Sequence, residues 1–146
     1  LLQEGMKDKE VASRVLGVVA QLLKVEQKFE TAIEMSLGNA MQNIVVRTED
    51  DAKYLIAYLK RMRFGRVTFL PISSVKPRSI DSQYKRFLNG AGIFGIASDL
   101  VECDKEYVKV VESLLGGTVI TDNMDTAVRL ARQTGFSFRI VTLKET

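Results

Sequence analysis

The sequence predicts an α/β fold of two related lobes, each running strand–helix–strand–helix–strand. Two observations carry that expectation: a gapless internal repeat, and an alternation of helical and extended periods within each copy. A third, the size and composition of the chain, limits it to one domain. With 146 residues, 46% hydrophobic and 27% charged, it is long enough to bury a core without staples and too short for two ordinary domains.

Residues 15–38 lie over residues 93–116 without a gap. Gly17/Gly95, Leu22/Leu100, Glu34/Glu112, Leu37/Leu115 and Gly38/Gly116 are identical, and most other positions keep their apolar or polar character. After a short deletion, Ile44, Val45 and Val46 match Val119, Ile120 and Thr121, and Ala52 matches Ala127; after another, residues 66–70 match 139–143. The organisation expected is copy one at about 15–70, a polar and basic connector at 71–92, and copy two at about 93–143, with residues 1–10 leading in.

Within each copy the elements follow in order. Phe29, Ala32, Ile33 and Leu37 form one helix face, as do Tyr107, Val110, Val111 and Leu115. Gly38 and Gly116 are expected to stop these helices in left-handed conformation. Short β-branched strands follow at 44–46 and 118–121. Thr48, with Glu49, Asp50 and Asp51 behind it, opens a second helix with Ala52, Leu55, Ile56 and Leu59 inside. Asp122 to Asp125 does the same before Ala127, Leu130 and Ala131. Gly65 and Gly135 end these helices, and strands at 66–70 and 138–143 close the copies.

Composition removes several chemistries. There is no histidine, which excludes a histidine base or ligand, and the single cysteine, Cys103, excludes an intramolecular disulfide. No apolar run is long enough to span a bilayer, so a soluble cytoplasmic domain is the expectation. Cys103 aligns with Val25 and reads as a packed thiol; Ser73, Ser74 and Ser98 have no histidine to activate them. The acids at 49–51 suit a helix start, and those at 99–106 line a loop without metal-ligand spacing. Gly90, Gly92 and Gly95 match a dinucleotide-binding pattern, but only Gly95 belongs to the repeat and the preceding segment is polar. No catalytic residue, cofactor site or metal site is expected.

What remains is charge. Formal net charge is only +3, yet residues 60–86 hold eight cations and one acid, so the rest of the chain is net acidic. Lys60, Arg61, Arg63, Arg66, Lys76, Arg78, Lys85 and Arg86 are candidate phosphate contacts for DNA, with salt-sensitive, sequence-tolerant binding.

The chain carries the run Gly38-Asn with Gln42-Asn-Ile-Val-Val46, the stretch Phe64-Gly-Arg-Val-Thr-Phe-Leu-Pro71, and Gly95-Ile-Ala-Ser-Asp-Leu-Val101 followed by Tyr107 and Leu114-Leu-Gly116. Together they closely resemble the hinge domain of bacterial structural-maintenance-of-chromosomes (SMC) proteins, from about residue 11 onward. The resemblance implies a non-enzymatic hinge between two halves of an antiparallel coiled coil. Such a hinge pairs with a second hinge as a homodimer, contacts DNA, and acts in chromosome condensation and segregation at the nucleoid. The ATPase heads, and any kleisin-type subunits bound through them, lie on segments absent from this sequence. DNA contact carries over most directly to Lys60, Arg61, Arg63 and Arg66, which flank the matching motif. The pattern departs from the family in two places: the glycine-rich segment that follows the last strand in bacterial hinges and helps form the dimer is missing after Leu143, and residues 1–10 show no sustained heptad. The alternatives are a duplicated α/β regulatory domain using Gly90–Gly95 for a nucleotide, and a plain structural module with a solvated connector.

Overall fold

A computed structural model describes residues 8–143. In chain order the elements are α1 (Lys9–Ala12), β1 (Gly17–Val18), α2 (Val19–Leu22), β2 (Lys24–Val25), α3 (Glu30–Leu37), β3 (Ile44–Val46) and α4 (Glu49–Arg61). They continue with β4 (Phe69–Pro71), β5 (Ile93–Ile96), β6 (Val101–Glu102), α5 (Val108–Leu115), β7 (Thr118–Thr121), α6 (Met124–Gln133) and β8 (Arg139–Thr142). The helices and strands alternate as the sequence predicts. The chain forms two compact units: residues up to Leu22 with Asn39–Val75, and Leu23–Gly38 with the residues from Lys76 on. The units cut across the repeat, because residues 23–38 of copy one belong with copy two.

Unit one is built on the sheet β1-β3-β4, in which β3 runs antiparallel to β1 and parallel to β4. β3 is β-branched throughout and buried throughout. Ile44 and Val46, two residues apart, share the face that meets Val11 and the inner side of α4. Thr48 caps α4 by accepting from the Asp51 amide at 3.2 Å, and the acids of its first turn suit the positive end of the helix dipole. The stripe of α4 is Ala52, Leu55 and Tyr58; Ile56, expected inside, is 42% exposed, and the Tyr58 ring takes the inner position.

Unit two repeats the topology as β5-β7-β8, with the same antiparallel and parallel senses. All four residues of β7 are buried, so both faces of this strand are covered. Both predicted helix faces, Phe29 to Leu37 and Tyr107 to Leu115, are buried as expected. A second, two-stranded sheet pairs β2 with β6, placing Lys24 opposite Glu102. These are equivalent positions of the two copies, so a local two-fold relates the strands. Arg139 donates to the carbonyls of Ser36 (2.8 Å) and Met35 (2.9 Å), satisfying orphan acceptors in the last turn of α3.

Four sequence expectations change. Gly38 has a positive φ of 54° but a ψ of −132°, outside the left-handed helical region, whereas Gly116 is right-handed at −72° and is glycine because a Cβ there would strike the Arg78 and Glu112 carbonyl oxygens. α4 ends at Arg61, and the left-handed residue beyond it is Arg63 (φ 58°) rather than Gly65. Strand β4 starts at Phe69, since β3 begins only at Ile44 and leaves residues 66–67 no ladder partner. Finally, the connector is not a polar loop. Ile80 is buried with Val119 and Leu130, and a 3-10 helix at Ser82–Asn89 lays Tyr84, Phe87 and Leu88 against that cluster.

Candidate nucleic-acid interface

The eight candidate cations fall in both units: Lys60, Arg61, Arg63 and Arg66 in unit one, Lys76, Arg78, Lys85 and Arg86 in unit two. All eight are exposed, and none forms an ion pair among the described residues, where the salt bridges are those of Arg14 with Glu10 and Asp51.

The unit-one set is local. Lys60 and Arg61 close α4, where cations oppose the negative end of the dipole, and the Arg61 guanidinium lies 5.9 Å from the Tyr58 ring centroid. Arg63 sits in the turn that follows, its amide donating to the Lys60 carbonyl at 3.2 Å. A left-handed arginine costs about 1–2 kcal/mol in backbone energy. Arg63→Gly is therefore expected to raise stability by about 0.5–1 kcal/mol in urea unfolding, after glycine's own entropy cost, while removing one cation.

Arg66 gains independence from the register. Ile44 pairs with Phe69 and Val119 with Ile140, so the structural counterpart of Arg139 is Thr68, not Arg66 as the sequence alignment has it. The helix-capping role of Arg139 therefore does not transfer to Arg66. Arg66 instead lines an open cleft of about 490 Å³ together with Asn39, Gln42, Asn43 and Thr68. A guanidinium beside three carboxamides suits phosphate and sugar oxygens.

The unit-two set is more dispersed. Arg78 and Lys85 line a cleft of about 610 Å³ whose walls also carry Asp99, Glu102 and Glu112, so acids offset their attraction for phosphate. The Arg86 guanidinium stands 4.7 Å from the Phe87 ring centroid.

The glycine pattern has no dinucleotide geometry. Gly90 and Gly92 form the turn into strand β5, no helix opens behind them, and a Cβ on Gly92 would meet the Asp122 carboxylate and the Thr126 hydroxyl at 2.7–2.8 Å. A carboxylate at that spot repels a pyrophosphate. The acids Glu49, Asp50 and Asp51 belong to the first turn of α4, and Asp51 also pairs with Arg14 at 3.6 Å.

Cys103 lines the unit-two cleft, half-buried, and burial, with the Asp104 charge behind it, pushes its thiol above the ordinary range. Less thiolate is then present near neutral pH. Cys103 is expected to react with a disulfide reagent at pH 7.5 several-fold more slowly than a free peptide thiol, the difference closing at higher pH. A faster rate would contradict the buried assignment.

Residues that sequence reasoning left out of the site include Asn39, Gln42 and Asn43. Their polarity was visible, but nothing local showed that the 3-10 turn at Gly38–Gln42 brings them beside Arg66.

Comparison with known proteins places this geometry. The family described as the SMC proteins flexible hinge domain matches residues 12–131. The chromosome partition proteins Smc of Clostridium kluyveri and Bacillus subtilis are each 40% identical over 144 residues, covering 97% and 98% of this chain. The chain spans 12% of the length of each. Among solved structures, an asymmetric dimer of the Geobacillus stearothermophilus SMC hinge domain superposes with a TM-score of 0.90 at 37% identity, covering 96% of this chain and 56% of that one. The Pyrococcus furiosus SMC hinge domain gives 0.74 at 33% identity, covering 92% of this chain and 70% of that one. An α/β chain with this topology, these motifs and these relatives belongs to the SMC hinge domain family.

Proposed function

We propose that this chain is the non-catalytic dimerisation hinge of an SMC ATPase, joining two coiled-coil arms and contacting DNA during chromosome condensation and segregation at the nucleoid. The observation that carries the DNA part is the group Lys60, Arg61, Arg63 and Arg66: four exposed cations within seven residues, without ion pairs among the described residues. The dimer part is supported by the solved relative that is itself a hinge dimer. ATP hydrolysis, and any kleisin-type subunit, belongs in this reading to head segments outside this sequence. The two repeat copies within one hinge domain, at about 15–70 and 93–143, are read as a duplication.

The test has two arms. Sedimentation velocity over a concentration series, with and without a glycine-rich carboxyl-terminal extension taken from a bacterial relative, reports self-association; a monomer throughout would overturn the dimer role. Fluorescence anisotropy with a labelled duplex across a salt series reports DNA contact. Affinity should fall steeply with salt as counterions are displaced. No binding of duplex or single strand at low salt would overturn the DNA role.

A further inference from the structure

The chain enters unit one through a helix too short to hold its own direction. α1 has four residues, about one turn, and a helix of that length is not stable by itself. Within it only Val11 is buried, resting among Ile44, Val46, Ala52, Leu55 and Tyr58 of β3 and α4. The next tie to the sheet is at Leu16, whose amide donates to the Val45 carbonyl at 2.9 Å. One buried side chain fixes where α1 sits and leaves it free to turn about that point.

Arg14 removes that freedom. On the α1 side its Nη1 donates to the Glu10 carbonyl at 2.7 Å and to the Glu10 carboxylate at 2.9 Å. On the α4 side its Nε lies 3.6 Å from the Asp51 carboxylate, and its guanidinium carbon stands 3.8 Å from the centroid of the Tyr54 ring. Asp51 and Tyr54 are three residues apart and so share one face of α4. The guanidinium is held at its edge by two carboxylates and over its flat side by a ring, a combination that lysine does not reproduce. An exposed ion pair contributes little alone, but here the contacts converge on one group. With 21 cations and 18 acids in the chain, both salt bridges among the described residues fall on this one side chain.

The far end of α4 gives the contact a use. The helix spans Glu49–Arg61, about 20 Å at 1.5 Å per residue. Arg14 grips its first two turns, and Lys60 and Arg61 close its last. One continuous helix therefore runs from the root of the entering segment to two of the candidate phosphate contacts.

We propose that Arg14 is a positioning residue that locks the segment entering unit one to α4, so that an arm continuing from α1 and the cations at the far end of α4 turn as one body. This rests on the hinge reading above and adds that the entering junction is stiff, with the flexing of the joint lying elsewhere.

The experiment places spin labels at Lys9→Cys and Ala57→Cys, both exposed positions, in a Cys103→Ser background, and reads the distance between α1 and α4 by pulsed electron resonance. With Arg14 intact the distribution should be single and narrow. Arg14→Ala should broaden it and speed amide exchange at residues 12–15 several-fold, because their donors bond only within this turn. The melting temperature should fall little, and duplex affinity should not change. In 1 M sodium chloride, where the screening length is about 3 Å, the chain with Arg14 intact should broaden part of the way, since the ion pairs weaken while the stacked ring stays. A distribution equally narrow in Arg14→Ala, or already broad with Arg14 intact, overturns the lock. A large fall in melting temperature with unchanged width overturns it in favour of a stabilising role alone. Because these distances do not involve DNA, a chain that binds no DNA would lose the phosphate track and keep the lock.

Discussion

Gly116→Ala is expected to destabilise the chain by about 3 kcal/mol or more, read as a lower urea midpoint at unchanged slope. The added Cβ would collide with the backbone carbonyl oxygens of Arg78 and Glu112, which no side-chain rotation can relieve. Those groups are themselves fixed: the Arg78 amide donates to the Glu112 carbonyl at 3.1 Å, and the Gly116 amide donates to the same carbonyl at 2.9 Å. Accommodating the methyl group means lifting the connector from the end of α5 and disturbing Ile80, two residues on, which is buried against Val119 and Leu130. Gly38 is the internal control. It occupies the equivalent sequence position, a Cβ there meets nothing within 4 Å, and only its φ of 54° resists alanine. Gly38→Ala should therefore cost less than Gly116→Ala, about 1–3 kcal/mol. Equal costs for the two would show that the Arg78 contact is not what demands glycine at 116.

Changing Lys60, Arg61, Arg63 and Arg66 together to Glu is expected to lower duplex affinity at least ~100-fold at 50 mM salt. Each phosphate contact contributes roughly 0.9 to the slope of log affinity against log salt, so removing four should flatten that slope by about 3 to 4. The substitutions spare the fold, because all four side chains are exposed and without ion pairs among the described residues. Lys60 and Arg61 do lose their favourable place at the end of α4, a cost of about 0.3–1 kcal/mol each. The same change at Lys76, Arg78, Lys85 and Arg86 should have the smaller effect, since Arg78 and Lys85 already share their cleft with three acids. If the second set proves dominant, the phosphate track belongs to unit two.

The fold was readable because the repeat states its pattern twice. Gly17 against Val45 and Gly95 against Ile120 are the same pairing in each sheet, and the gapless alignment of residues 15–38 with 93–116 places those glycines correctly. The helix faces at 29–37 and 107–115 were legible for the ordinary reason that burial follows a 3.6-residue period. Three features were not. The connector's apolar residues, Ile80, Tyr84, Phe87 and Leu88, keep helical spacing, but Lys85 and Arg86 between them made the segment look solvated. The alignment of Arg66 with Arg139 was drawn by residue identity, whereas the ladder is set by where β3 begins, two residues out of step. Arg63 gave no signal, because a non-glycine left-handed residue has no sequence mark when glycine stands two positions later. Of the candidate site, the cations themselves were visible; the carboxamides beside Arg66, and the acids that share a cleft with Arg78 and Lys85, come together only through folding.

The placement of residues 23–38 has a mechanical consequence. Because that segment leaves copy one and packs in unit two, the chain passes between the units three times, after Leu22, after Gly38 and after Val75. A tandem pair of domains hangs on one linker, and a pull on its ends loads that linker alone. Here there are three covalent crossings, and the segment between the first two carries α3, held within unit two by its Arg139 clamp and its row of buried side chains. Three crossings share a load that a single linker would carry alone.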